Sequence, residues 1–334
     1  MGQPLPVTLR MGAYVAKQKL LGRKRFPMVL MLEPTLKCNL TCTGCGKIRQ
    51  DEELMGLMLS YEECMASVEE CGAPAVSIAG GEPLVHPEID RIVAGCIARK
   101  KLTMLCTNGI LIERAFKKMQ PSPYFTFIFH LDGLREHHDL MVERHGVFDK
   151  VIAGIKRAKE LGFRVATNTT LFKSSPVDDT AELFRYLMGL GVDGVIVSPA
   201  FSYEEVDPAH DIFMSRDEAI AHFRQIHEQA GPNIRYYHTP QYIDFLRGER
   251  FYMCTPWGNP LRDPGGWKGP CYLLTDQRYD TFEEMIDSTR WEEYGYGRNP
   301  RCAKCMAHVG YEASTVVHAG IVDSMRMMSQ NLLS

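Results

Sequence analysis

The stretch MVLMLEPTLKCNLTCTGCGK, Met28–Lys47, decides the fold. It opens on a short apolar run, Met28–Leu32, the length of a buried strand. It then turns into a polar loop that carries Cys38, Cys42 and Cys45 in C-x3-C-x2-C spacing. Further apolar runs follow at Ala75–Ala79, Leu102–Cys106, Phe125–Leu131, Arg164–Leu171 and Gly194–Ser198. Helix-period segments separate and follow them, at Tyr61–Cys71, Glu88–Lys100, Leu111–Met119, Phe148–Gly162, Asp179–Gly191 and Arg216–Ala230. Strands alternating with helices at this spacing predict parallel βαβ units. Six of them predict an α/β fold, an incomplete, TIM-like (β/α)6 barrel. In such barrels chemistry sits at the C-terminal ends of the strands. The distinctive residues fall there: Cys38 after the first run, Gly80-Gly81-Glu82-Pro83 after the second, Cys106-Thr107-Asn108-Gly109 at the third and Leu131-Asp132-Gly133 after the fourth.

Texture sets the expected boundaries: a basic N-terminal helix over 1–24, the barrel over 25–231 and an irregular C-terminal domain over 232–334. The last is rich in proline, glycine and tryptophan and holds Cys254, Cys271, Cys302 and Cys305. Its Met-rich tail from Asp323 onward carries no reading. A net charge of −3 argues against a broad nucleic-acid footprint. Lys17, Lys19, Arg23, Lys24 and Arg25 break up any secretory apolar run, and no stretch has the length and apolarity of a spanning helix. A cytoplasmic chain with reduced thiols is expected, so clustered cysteines among its 11 point to metal or chemistry rather than to crosslinks.

A fully protein-ligated 4Fe-4S cluster takes four thiolates. Three close cysteines without a local fourth leave one iron open to an amine and a carboxylate, whereas structural zinc wants four protein ligands. The loop resembles that of radical S-adenosylmethionine (SAM) proteins, where the open iron holds the methionyl end of SAM. Gly80-Gly81-Glu82-Pro83 resembles the same family's SAM-binding segment: the glycines permit close backbone approach and Glu82 offers a carboxylate to an ammonium group. Asp132 and Asn168 are candidates for the ribose or carboxylate of SAM, or else a plain turn and a satisfied strand-end amide. Gly44 stands where the family usually carries an aromatic residue beside the adenine, so the nucleoside is contacted otherwise or has unusual room.

The four C-terminal cysteines have the count of a closed site, either a second 4Fe-4S cluster or zinc, with His308 near enough in sequence to compete as a ligand. Their layout is similar to auxiliary-cluster domains appended to many radical SAM enzymes. Cys64, Cys71 and Cys96 read as core residues on helices. Cys106 has two readings, a buried strand cysteine or a hydrogen-atom donor. A thiol S–H bond is weaker than the C–H bond formed when it quenches an alkyl radical.

Longer strings narrow the resemblance. Cys42–Lys47, Ser77–Leu84, Ser122–Phe127, His130–Gly133, Cys254–Pro260 and Cys271–Leu274 resemble the HpnH family of hopanoid-biosynthesis radical SAM proteins, over residues 28–315. That resemblance implies an adenosylhopane synthase. SAM is cleaved reductively to methionine and a 5′-deoxyadenosyl radical, which adds to the alkene of diploptene. It also implies an electron donor such as flavodoxin or ferredoxin. The addition leaves a radical that needs a reductant, and Cys106, at the end of the third strand, is placed to be it. Because that substrate dissolves in bilayers, the N-terminal stretch reads either as an interfacial helix at the inner membrane face or as a plug for the open bottom of the barrel. The competing readings are hydrogen abstraction from another peptide or lipid substrate and, in a different class, a non-enzymatic metal protein.

Overall fold

Apolar runs of four to eight residues become parallel strands, and the polar periodic segments between them become the helices that cover the sheet. The computed structural model describes residues 4–201, 206, 211–320, 323, 326 and 327. Helix α1 (Leu5–Leu20) comes first, then β1 (Val29–Leu32), α2 (Glu52–Gly56), α3 (Tyr61–Cys71) and β2 (Ala75–Ile78). Next are α4 (Ile89–Ala98), β3 (Leu102–Thr107), α5 (Ile112–Phe116), β4 (Phe125–His130), α6 (Arg135–Met141) and α7 (Val147–Glu160). The barrel closes its run with β5 (Arg164–Leu171), α8 (Val177–Gly189), β6 (Gly194–Pro199) and α9 (Arg216–Ala230). The rest supplies α10 (Pro240–Leu246), β7 (Leu261–Asp263), β8 (Gly266–Pro270), β9 (Thr275–Tyr279), α11 (Phe282–Ser288) and α12 (His308–Val317).

Strands β1 to β6 pair in sequence order, all parallel, from Val29↔Ala75 at one end to Leu171↔Pro199 at the other. Their C-terminal ends therefore share one rim. The segment after residue 231 is more regular than its composition suggests, and it continues the same sheet. β7 adds to β1 in parallel (Met31↔Leu261), and β8 and β9 extend it antiparallel. The sheet runs β6-β5-β4-β3-β2-β1-β7-β8-β9.

Alternation along each strand sorts side chains between two faces. On β4, Phe125, Phe127 and Phe129 point toward the helices and join Phe116 and Phe163 in edge-on and tilted ring contacts. Burying each ring contributes about 1.5–3 kcal/mol. The intervening Ile128 and His130 face the barrel interior instead. Local signals fix the helix ends. Ser60 with Glu63 and Ser215 with Glu218 form reciprocal capping boxes on α3 and α9, and Gly72 ends α3 at φ +68°. Helix α1 lies across the N-terminal ends of the strands, with Val7 packed against Ala75 and Leu102, the first residues of β2 and β3.

Candidate functional site

A cavity of about 1250 Å³ occupies the barrel interior, from the three-cysteine loop at the C-terminal rim to α1 at the other end. Cys38, Cys42 and Cys45 all line it as free, half-buried thiols. The loop is pinned on both sides. Thr43 N–H donates to the Met141 carbonyl (2.9 Å), and the Thr43 and Thr41 hydroxyls donate to Glu143 (3.0 and 3.3 Å). On the opposite side Asn108 Nδ2 donates to Asn39 Oδ1 at 2.7 Å. Burial pushes the Cys38 thiol up to about 11, with the Leu40 N–H working against it. Burial and the neighbouring Cys45 push Cys42 higher still. Crowded thiols of this kind ionise only against a positive charge, the donor set that an iron–sulfur cluster requires.

Gly80 and Gly81 line the cavity, but the close approach they permit is to the chain itself. A Cβ on Gly80 would sit 2.2 Å from the Thr35 carbonyl oxygen, and one on Gly81 2.3 Å from that of Lys37. The segment is thus welded to the cysteine loop, with Gly81 N–H and Glu82 N–H donating to the Thr35 and Lys37 carbonyls (3.1 and 2.9 Å). Glu82 is 1% exposed and lies beneath the cavity wall. Its carboxylate accepts from Leu84 N–H (2.9 Å), the Thr107 hydroxyl (2.9 Å) and Asn108 N–H (2.7 Å), so it ties the β2 and β3 ends together. Burial pushes it up to about 7.

Asp132 and Asn168 both line the cavity. Asp132 Oδ2 pairs with His130 Nε2 at 2.8 Å and its Oδ1 accepts from Thr170 N–H at 2.9 Å. Asn168 Oδ1 is buried with no hydrogen-bond partner among the described residues. Sequence reasoning did not single out His130, although the β4 alternation that turns its phenylalanines outward turns His130 inward. Burial opposes charge on His130, but the Asp132 carboxylate outweighs it and holds the imidazole above its ordinary range. His138, whose Nδ1 accepts from Asp132 N–H (3.3 Å), is pushed down to about 4 by burial and by His130.

Cys106 is half-buried at the end of β3 and faces the cavity. Its sulfur lies 3.6 Å from the Ser77 hydroxyl. Burial pushes its thiol up to about 11, so it keeps its proton at neutral pH. Gly44, at φ +73°, leaves the space into which Ile212 and Phe172 project, 2.9 and 3.2 Å from where its Cβ would be. Across the cavity the buried His238 Nδ1 pairs with Glu312, whose other oxygen accepts from Thr239 N–H at 2.6 Å. This pair is 74 residues apart in sequence and left no local signal.

The four C-terminal cysteines lie off the cavity. Each is a free thiol, and Cys254 is raised by burial and by Cys305, Cys271 and Cys302, so the four sense one another. Cys271 Sγ accepts from Leu273 N–H at 3.4 Å, and backbone N–H groups of Ala307 and Gly295 favour the Cys305 and Cys302 thiolates. Backbone donors aimed at sulfur suit cluster ligands. Gly310 gives Cys254 its room: a Cβ there would meet its sulfur at 2.4 Å. Among the described residues no three His, Cys, Asp or Glu side chains converge closely enough to hold a single metal ion. His308 turns away from this group. It lines the cavity, stacks obliquely on His238 with centroids 5.9 Å apart, and has His238 and Glu312 as its electrostatic neighbours.

Comparison with known proteins follows this geometry. Residues 32–187 match the radical SAM superfamily, and residues 195–329 match a domain of unknown function, DUF3463. Fe-coproporphyrin III synthase of Methanosarcina barkeri is 27% identical over 220 residues, 61% of this chain and 53% of that protein. GTP 3′,8-cyclase of Mycolicibacterium smegmatis is 31% identical over 171 residues, 48% of this chain and 47% of that protein. The chain thus spans about half the length of the curated relatives it matches. Among solved structures, native anSMEcpe with bound AdoMet aligns with TM-score 0.60 at 15% identity, covering 92% of this chain and 96% of that one. Streptococcus suis SuiB aligns with TM-score 0.61 at 18% identity, covering 83% and 70%. At these identities the structures speak to the fold. The open parallel barrel with its rim loop of three cysteines is thus a radical SAM α/β fold, extended by a domain that matches DUF3463, and a 4Fe-4S cluster and SAM are the cofactors that the matched superfamily uses.

Proposed function

We propose that the chain transfers the 5′-deoxyadenosyl group of SAM to the terminal alkene carbon of a large apolar olefin, diploptene, giving adenosylhopane and methionine. The observation that carries the reading is the Cys106 thiol, raised by burial, facing a largely apolar cavity that also holds the three-cysteine loop. Small-molecule sites usually enclose about 300–1,000 Å³. The about 1250 Å³ here leaves room for SAM and a second bulky, apolar molecule. The resemblance of the strings quoted from the sequence to the hopanoid-biosynthesis family supports the olefin's identity.

Cys38, Cys42 and Cys45 would hold the 4Fe-4S cluster. When bound, it supplies the electron that splits SAM into methionine and the 5′-deoxyadenosyl radical. Gly80 and Gly81 offer backbone to the methionyl end, with Glu82 fixing that segment from below. Asn168 and the Asp132–His130 pair line the cavity and would contact the nucleoside. Phe172 and Ile212, in the space left by Gly44, take the adenine contact that an aromatic residue usually makes. The carbon radical adds to the alkene, forming one C–C bond and leaving a tertiary radical. Cys106 gives its S–H hydrogen atom to that carbon. The resulting thiyl needs one electron and one proton, drawn from a reducing donor such as flavodoxin or ferredoxin. Cys254, Cys271, Cys302 and Cys305 would hold a second cluster.

The test is anaerobic incubation of reconstituted enzyme, reductant, SAM and diploptene, with mass spectrometry of the lipid extract. A lipid heavier by 5′-deoxyadenosyl plus one hydrogen is expected. Free 5′-deoxyadenosine beside unmodified diploptene would remove the olefin from the reading. Cys106→Ala should still cleave SAM but lose the reduced product, and normal product from that variant would exclude the thiol as donor.

A further inference from the structure

Helix α1 has two apolar faces, one packed inward and one exposed. At 3.6 residues per turn, Val7, Met11, Tyr14, Val15 and Gln18 fall on one side. These are the residues that turn inward, with Val7 and Gln18 buried, Tyr14 bonded to the Pro27 carbonyl at 2.7 Å, and Val7, Met11 and Val15 lining the cavity. Leu5, Leu9, Gly12, Ala13, Ala16 and Leu20 fall within about 100° of arc on the opposite side. All six are exposed, and Leu9, Gly12, Ala13 and Ala16 also border the open end of the cavity. Nine large apolar residues are exposed among the described residues, and four of them, Leu5, Leu9, Leu20 and Leu21, lie on this one helix and its end, Leu20 at 88%.

Charge flanks that stripe. Arg10 and Lys17 border one edge and Lys19 the other, and Arg23, Lys24 and Arg25 follow. Between Pro4 and Phe26 there is no Asp or Glu, in a chain whose net charge is −3. None of these six basic side chains forms an ion pair among the described residues. An exposed apolar stripe between unpaired cations matches an anionic bilayer surface, where leucines enter the acyl boundary and lysines and arginines meet phosphate.

We infer that α1 docks the enzyme on anionic phospholipid membrane, while its inner face closes the N-terminal end of the cavity. The outer and inner faces of one helix thereby join a lipid phase to the cavity floor. The inference extends the proposed reading, because an olefin dissolved in the bilayer would reach the cavity beside α1 rather than through water. Among the described residues no helix is long and apolar enough to cross a membrane, and the docking described here needs none.

The test uses the full chain with its cluster reconstituted and no olefin present. Co-sedimentation is measured with phosphatidylcholine vesicles and with phosphatidylcholine–phosphatidylglycerol vesicles, at low and high salt. Binding to the anionic vesicles is expected to be at least about tenfold tighter, and to weaken with salt. The double variant Leu5→Ser, Leu20→Ser and the charge reversal Arg10→Glu, Lys17→Glu should each lose about tenfold or more, with SAM cleavage in the absence of olefin unchanged as the proof of folding. Equal affinity for the two vesicle types, or variants that fold and bind like wild type, would overturn the inference. Adenosyl transfer assayed separately with detergent-dispersed diploptene keeps the two ideas apart. Its failure with vesicle binding intact would count against the olefin alone.

Discussion

The molecule carries two sets of clustered cysteines in opposite surroundings. Cys38, Cys42 and Cys45 sit on a loop at the barrel rim and face a large cavity. Cys254, Cys271, Cys302 and Cys305 sit off that cavity, approached by backbone N–H donors from their own domain. Three donors beside open space leave a coordination position for a second molecule. Four donors in a closed setting leave none. Count and surroundings agree in each case with the proposed division between a reactive centre and a structural or electron-relay centre.

The sharpest way to break this division is to remove one ligand from each set. Cys38→Ala should abolish SAM cleavage, a loss of about a thousandfold or more, read by methionine release and by loss of the reduced-cluster EPR signal. Cys305→Ala should lower iron by about four atoms per chain while leaving the SAM-perturbed EPR signal of the rim cluster in place. Loss of zinc instead of iron would reassign the second set. Gly44→Phe comes next in size. The φ of +73° and the contacts to Ile212 and Phe172 strain any side chain at this position, at a cost of about 1–3 kcal/mol. SAM affinity, measured by equilibrium dialysis, should fall about tenfold or more, and Phe172→Ala in the same chain should recover part of it.

The smallest effect concerns the imidazoles behind the rim. Burial, with His130 beside it, holds His138 down at about 4 in the folded chain, against an unfolded value near 6.5. The unfolded chain therefore binds this proton first, so stability should fall as pH drops from about 6.5 through about 4. The contribution is on the order of a few kcal/mol, readable from urea midpoints. His130, held above its ordinary range, acts with the opposite sign. His138→Asn should flatten the acid slope, and an unchanged slope would show that other groups set it.

Much of the barrel was legible because period-2 and period-3.6 patterns are local. Arg164–Leu171, Tyr61–Cys71 and Arg216–Ala230 coincide with β5, α3 and α9 as read from the chain. The rim loop was legible because its three cysteines are close in sequence. What was hidden depends on distant partners. The donors to Glu82 come from residues 84, 107 and 108, and only the folded rim shows its carboxylate already occupied. His130 reads as a strand end until the inner face of β4 is defined. Strands β7 to β9 are three to five residues long and interrupted by glycine and proline, too short for periodicity to register.

One pairing has a consequence for how the chain is made. β1, which delivers the reactive loop, is flanked on one side by β2 and on the other by β7, some 230 residues later. While the ribosome is still adding the intervening sequence, β1 is an open edge bearing a cysteine-rich loop, and such edges invite pairing with foreign chains. Only the arrival of Leu261–Asp263 seals it. Cutting the chain after its sixth strand would leave that side of β1 unpaired.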